Sequence, residues 1–545
     1  MIRSTTHRFS LLLLSLCVCT LSLGQQRQVE VPTPGRELSP LFTNYDVHFY
    51  ELEVKIDPAL RRIGGSNTIH FTAVRQFQQL QLGLHEQLEI ARIEYQGRKL
   101  EFSRHHHLVL VHFPRPLAQG SSGRIKVIFG GAPPQASAPG EEGAFFWGQD
   151  EKGNPQVAVC SDAVGSGAWW PLKDHWSDRP DSMEISLIVP ETLMAIANGS
   201  LMSQDRLPGN FLRYLWVVSK PMSSNQLGCF VGKYALVQDV FKDRNEAFHH
   251  LNYYVLPGHE SHVPTHLRQV KAMLRFLEAR LGPYPYWEDG FKMVETSYQE
   301  IMHYGGLAFH HGQQNNEFGF DAELLHQLAH EWFGGSTGAR DATEAWVTEA
   351  FAAYMEVLFV EHLLDYDQAV AYLQQLRRQI QNREPLLGPA DYPYRGRQSE
   401  DMHPKGAWML HSLRNAVDDD ERWQACLQKL GMQHRYRNLS SQEVIDFFGA
   451  ELGQDYSWLF EQYLRHATLP VLEYSIKKAG NRFEMDYRWR TKVEGFALPV
   501  YIYANGIRQR LQPRREWQTF SERNVAERHF YIDQTAGLFE LHKGK

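Results

Sequence analysis

The 545 residues, 43% hydrophobic, 12% aromatic and 22% charged, suffice for about three domains with cores of their own. Thirteen Trp, 24 Tyr and 30 Phe exclude a disordered or low-complexity chain. A net charge of −7 excludes the basic field that nucleic-acid binding requires.

In chain order, residues 1–24 read as a secretory signal. Arg3 and Arg8 precede the apolar run Phe9 to Leu23, and Ser22-Leu23-Gly24 places cleavage before Gln25. That run is shorter than the ~20 residues of a membrane span, and no later segment is apolar enough. The expectation is a secreted or periplasmic mature chain without a transmembrane segment. Cys160, Cys229 and Cys426 then remain; an odd, widely spaced set is neither a disulfide framework nor a thiolate metal site.

From about residue 40 to 242 the pattern is that of strands, as in YELEVKI (50–56), NTIHFTAV (67–74), RIKVIFG (124–130), SMEISLIV (182–189) and FLRYLWVV (211–218). At about 263 the period changes. HLRQVKAMLRFLEARLG (266–282), SEDMHPKGAWMLHSLRNAV (399–417) and SQEVIDFFGAEL (441–452) have helical spacing. Beyond Pro470 strands return in RFEMDYRW (482–489) and PVYIYA (499–504).

The segment that carries chemistry is DAELLHQLAHEWFGG, 321–335. Asp321 is placed to cap a helix ending at Gly334-Gly335. His326 and His330, at i and i+4, project from one face of that helix. A second helix is predicted to open at Asp341, with Glu344 as capping-box partner, and it offers Glu349, separated from His330 by 18 intervening residues. Two His and one carboxylate with an open position form the ligand set of catalytic zinc proteases.

HQLAHEWFG followed at this distance by WVTEAF resembles the M1 (gluzincin) zinc aminopeptidases, the group of aminopeptidase N and leukotriene A4 hydrolase. WWPLKDHWSDRPD (169–181), FVGKY (230–234), GPYPYWEDGFKMVE (282–295) and KGAWMLHSLR (405–414) extend the likeness to roughly residues 40–540. The resemblance implies a multidomain α+β fold: an N-terminal β saddle domain (25–242), a thermolysin-like, mostly helical catalytic domain (243–467) and a small C-terminal β-sandwich (468–545). It also implies one zinc ion on His326, His330 and Glu349.

The chain departs from that family at three places. Gln327 stands where active members carry the general base, and an amide orients water without accepting its proton. The loop that supplies an amine-binding Glu reads VETSYQEIMHYGGLAFHHG (294–312), which puts Met302 there, or His303 after a one-residue shift; Glu300 lies close by in sequence. His403 replaces the tyrosine that donates to the oxyanion, and Pro404 biases it away from helical geometry. Asp162, 12 residues before Asp174, aligns with a family amine anchor and equally suits an ordinary turn.

These substitutions point to an exported, zinc-binding pseudopeptidase that takes peptide N-termini or a protein partner. The alternatives are an active aminopeptidase with a rewired site, using His303, His403 or Glu331 as base, and a zinc-braced structural module closed by a fourth protein ligand. Other signals carry less. His105-His106-His107 alternate across a strand and do not converge, HESH (259–262) lacks the ligand spacing, His310-His311 are loop residues, and VGSGA (164–168) is no nucleophile elbow. The sequence is silent on oligomeric state.

Overall fold

The computed structural model describes residues 41–136, 144–159, 165–296, 307–309, 315–388, 399–479 and 481–544. The expected signal segment, Cys160, Asp162, Glu300, Met302, His303, His310 and His311 lie outside them.

The N-terminal β region is built on the strand Tyr45–Asp57, which pairs antiparallel with Arg62–Ala73 and parallel with Ser182–Pro190 inside an eight-stranded sheet. Strict alternation produces this. Tyr50, Leu52, Val54 and Ile56 are buried while Glu51, Glu53 and Lys55 face outward, the period-two pattern of a half-buried strand. All five predicted strand segments of this region are strands.

The passage to the helical region runs through a hairpin, Ala235–Lys242 with Phe248–Val255, so residue 242 is the end of its first strand. Phe291–Glu295 and Leu307–Phe309 add to the same sheet in parallel. Eight helices follow among the described residues: α1 Val263–Leu281, α2 Ala322–His330, α3 Trp346–Leu363, α4 Tyr366–Arg377, α5 Met402–Val417, α6 Asp420–Gln433, α7 Ser441–Leu452 and α8 Ser457–Arg465. α3 is buried on nearly every face from Trp346 to Val360, as its all-round apolar sequence requires. Gly406 of α5 lets that helix approach α3 closely. A Cβ at 406 would stand 2.5 Å from the Ala350 Cβ and 3.0 Å from its Cα.

The C-terminal strands form a four-stranded and a three-stranded sheet. Their Trp489, Leu498, Ile502 and Phe539 belong to one continuous core with Leu413 and Tyr463 of the helices. A second core fills the N-terminal β region.

Arg179 joins the two. Its guanidinium donates to the carbonyls of Gly335 (2.5 Å) and Ser336 (3.1 Å), just past α2, and to Asn438 Oδ1 (2.6 Å). Cys229 and Cys426 are buried free thiols; burial raises both, Cys426 to about 12. No described helix is long and apolar enough to cross a membrane.

Candidate metal centre

Asp321 caps α2 as expected, accepting from the Leu324 N–H at 3.1 Å. The helix is shorter than predicted. It stops at His330, and a tight turn follows in which Gly334 takes φ +132° and the Gly335 N–H returns to the His330 carbonyl. Tertiary packing ends it, because the next residues are drawn into the core: Trp332 is buried and its indole donates to the Gly282 carbonyl at 3.0 Å. The start of α3 also differs from expectation. Asp341 caps a single 3₁₀ turn, Ala342–Glu344, and α3 opens at Trp346. Glu344 does not reciprocate the cap; it accepts from the Ser441 N–H at 2.8 Å, an acceptor role at the start of α7.

These two helices bring His326, His330 and Glu349 together. The imidazole Nε2 atoms are 3.0 Å apart. Glu349 places one oxygen 3.5 Å from His326 Nε2 and the other 3.6 Å from His330 Nε2. Ligands at ~2.0–2.1 Å from a tetrahedral zinc lie roughly 3.3 Å from one another, so the spacing fits. The hydrogen bonds behind the rings fit as well. His326 Nδ1 lies 2.7 Å from Glu356 Oε1, and His330 Nδ1 lies 2.9 Å from the Phe333 carbonyl oxygen. Both partners are acceptors, so both rings carry the proton on Nδ1 and turn Nε2 toward Glu349. Three donor atoms of ligand type thus converge, and among the described residues this group has three members.

Charge supports the same reading. Burial pushes the Glu349 carboxyl up, but His330 and His326 hold it well below its ordinary range. Burial likewise opposes ionisation of Glu356, which His403 and His326 bring down to about 2. Burial pulls the His326 imidazole down, yet Glu349 and Glu356 reverse this and hold it near 10 without a metal. The buried Glu356 and the partly exposed Glu349 set two carboxylates against His326, negative charge that a divalent cation compensates.

Glu356 escaped the sequence reading. It lies seven residues beyond Glu349, on the same face of α3 two turns on, and this spacing was the available signal. Its Oε1 takes His326 at 2.7 Å and His403 Nε2 at 3.0 Å, and its Oε2 accepts from the Tyr372 hydroxyl at 2.5 Å.

His403 sits in the first turn of α5, contrary to the expected bias from Pro404. Pro404 occupies a position whose N–H has no intrahelical acceptor, so the proline costs no bond there. The His403 ring stands edge-on to that of His326, centroids 5.1 Å apart at 88°, with Nε2 directed at Glu356.

Gln327 is buried in α2. Glu331 is 1% exposed and accepts from the Tyr284 hydroxyl at 2.8 Å, on the core side of the helix end. Of the discounted signals, His106 lies at a hairpin turn with φ +50° and faces Glu86. His259 of the HESH segment bonds Glu295 at 2.7 Å. Ser166 of VGSGA donates to the Ser224 carbonyl at 2.9 Å.

A His pair from one helix, a Glu from the next and a carboxylate behind one ring define a gluzincin-type metal centre, set in a helical domain behind a β domain. A model of the peptidase family M1 domain matches residues 321–463. Human endoplasmic reticulum aminopeptidase 1 is 21% identical over 272 residues, 46% of this chain and 28% of that protein. Mouse aminopeptidase O is 53% identical over 36 residues, 7% of this chain and 4% of that protein. An M1 zinc metallopeptidase from Deinococcus radiodurans superposes with a TM-score of 0.67 at 21% identity, covering 78% of this chain and 94% of the other. A mutant M1 zinc metallopeptidase from the same organism, bound to a Tyr-Ser-Ala substrate, gives a TM-score of 0.65 at 22% identity, over 78% and 95% of the two chains. The chain spans less than a third of the length of these curated relatives. Matched segment and fold agree: residues 321–463 resemble the M1 peptidase domain, the architecture is that of M1 zinc metallopeptidases, and the His326, His330 and Glu349 group is a candidate zinc site.

Proposed function

We propose that the protein holds zinc on His326, His330 and Glu349 and receives peptide or protein N-termini beside it with little or no hydrolysis. Zinc bound there supplies Lewis-acid polarisation and an acidified water. The rest depends on the chain's own groups, and one observation carries the reading: the residue after the first zinc-ligand histidine is Gln327. An amide positions water by hydrogen bonds but holds no proton from it, and removal of a general base costs on the order of 10²–10⁴ in rate.

The surroundings support this. Glu331 is engaged by Tyr284 and buried, so it is no substitute base. His403 turns its Nε2 to Glu356 Oε1 at 3.0 Å, which engages that atom away from an oxyanion. Among the described residues the ligand group has three members, the protein-ligand count of a catalytic zinc site.

The test compares wild type with Gln327→Glu, measuring zinc by mass spectrometry and turnover on a panel of aminoacyl reporters. About one zinc per chain, no chelator-sensitive turnover in wild type and a gain in Gln327→Glu are expected. Wild-type hydrolysis that a chelator stops would refute the proposal.

A further inference from the structure

We propose that His326, Glu356 and His403 form a second metal site, which takes copper(II) beside the zinc and shares the His326 ring with it. The inference goes beyond the peptide-binding reading and does not depend on it.

The argument begins with the two nitrogens of His326. Its Nε2 lies 3.5 Å from Glu349 and 3.0 Å from His330 Nε2, inside the first ligand group. Its Nδ1 faces the other way, 2.7 Å from Glu356 Oε1. His403 Nε2 reaches that same oxygen at 3.0 Å. The three donor atoms all lie within 4.8 Å of one another, so a second set of ligand type meets around Glu356. His403 completes it. A tyrosine, which the family resemblance implies at that position, would leave one imidazole and one carboxylate without the second nitrogen.

The spacing selects the ion. Bonds of ~2.0 Å at right angles put neighbouring ligands about 2.8 Å apart and opposite ligands about 4 Å apart. With Oε1 between the two nitrogens, separations of 2.7 and 3.0 Å match a square of ligands, whereas tetrahedral zinc asks for roughly 3.3 Å. A tetragonal set of nitrogen and oxygen donors is the preference of copper(II), which also heads the order of divalent affinities. A strong binder is required, because one proton leaves as copper enters. His326 gives up its Nδ1 proton, and His403 carries its own on the ring nitrogen away from the metal.

Access fits as well. Tyr372 donates to Oε2 at 2.5 Å and leaves Oε1 to the two rings. The Glu356 side chain is 3% exposed and that of His403 33%, so an ion enters past His403, and water fills the position left over.

The experiment titrates copper(II) into zinc-loaded protein in the presence of glycine, which strips weakly held ions from surface histidines. Both metals are counted by mass spectrometry after gel filtration. Wild type should keep its zinc and take up about one copper per chain more than His403→Phe, whose first ligand group is untouched. Equal uptake by the two proteins overturns the proposal, as does copper that enters only as zinc leaves. A second measurement needs no variant. When copper replaces zinc as well, two ions on one shared imidazole couple their spins, and the paramagnetic resonance signal per copper should be largely lost. Two signals of full intensity overturn the shared ring.

Discussion

Gly406→Ala tests the packing that places Glu349. The added Cβ would lie 2.5 Å from the Ala350 Cβ and 3.0 Å from its Cα, against ordinary carbon contacts of ~3.5–4.0 Å. Both opposing atoms belong to a helix backbone or its first carbon, so no flexible side chain can move aside, and α5 must part from α3 by about 1 Å. Overpacking of this kind costs about 1–3 kcal/mol. Helix propensity returns about 0.5–1 kcal/mol for Gly to Ala, leaving a net loss of up to about 2.5 kcal/mol. Ala350 follows Glu349 directly, so the displacement reaches the ligand, and zinc affinity should fall by about tenfold, the lower end of losses from disturbed ligand support. Denaturant unfolding of the metal-free protein reads the first effect, and chelator competition the second. Gly449→Ala is the control. It lies in α7 with only the Gln454 carbonyl oxygen nearby, at 3.8 Å, and should gain about 0.5–1 kcal/mol with zinc binding unchanged. A Gly406→Ala protein as stable as wild type, with the same zinc affinity, would refute the argument.

Glu349→Gln removes a charged ligand, and the isolated protein should then hold well under one zinc per chain by mass spectrometry; full loading would show that the metal sits elsewhere. Glu356→Gln keeps the shape and loses the charge behind His326. Its pH-independent zinc affinity, extrapolated from a pH series of chelator competitions, should drop about tenfold to a hundredfold, and an unchanged value would make Glu356 a simple core acceptor. His266 gives a pH dependence. Burial pushes its imidazole down to about 4, below the unfolded value, so its contribution is complete above about pH 6.5 and is lost as pH falls through that window to 4. Across it the unfolding free energy of wild type should fall relative to His266→Gln by up to about 3 kcal/mol, read by urea melts at fixed pH steps; parallel curves would contradict the burial argument.

The parts of this molecule legible in the sequence are those fixed by local periodicity. The i, i+4 spacing of His326 and His330 needs only one turn of helix to converge, and α2 supplies it. The alternation in 50–56 sets which face of the first long strand is buried. What local pattern missed was decided across the chain. The end of α2 at His330 follows from Trp332 entering the core, and Glu344 is drawn from its own helix start to the N–H of Ser441, 97 residues away. His403 was placed at the oxyanion-donor position from sequence alone, with its reach and direction in doubt; its Nε2 is turned to Glu356, a residue the reading had not singled out. Pro404 illustrates the same limit, since its disfavour for helix vanishes at a first turn where no bond is lost.

The grip of Arg179 on the turn after α2 bears on whether the helical half can stand alone. Its contact with Gly335 spans 156 residues, so the turn that closes the zinc helix is held by a guanidinium belonging to the N-terminal β layer. Gly338 keeps the berth open, since a Cβ there would come within 2.9 Å of Arg179 Nη2. A helical half made alone would carry its ligands with the carbonyls of that turn deprived of their cation.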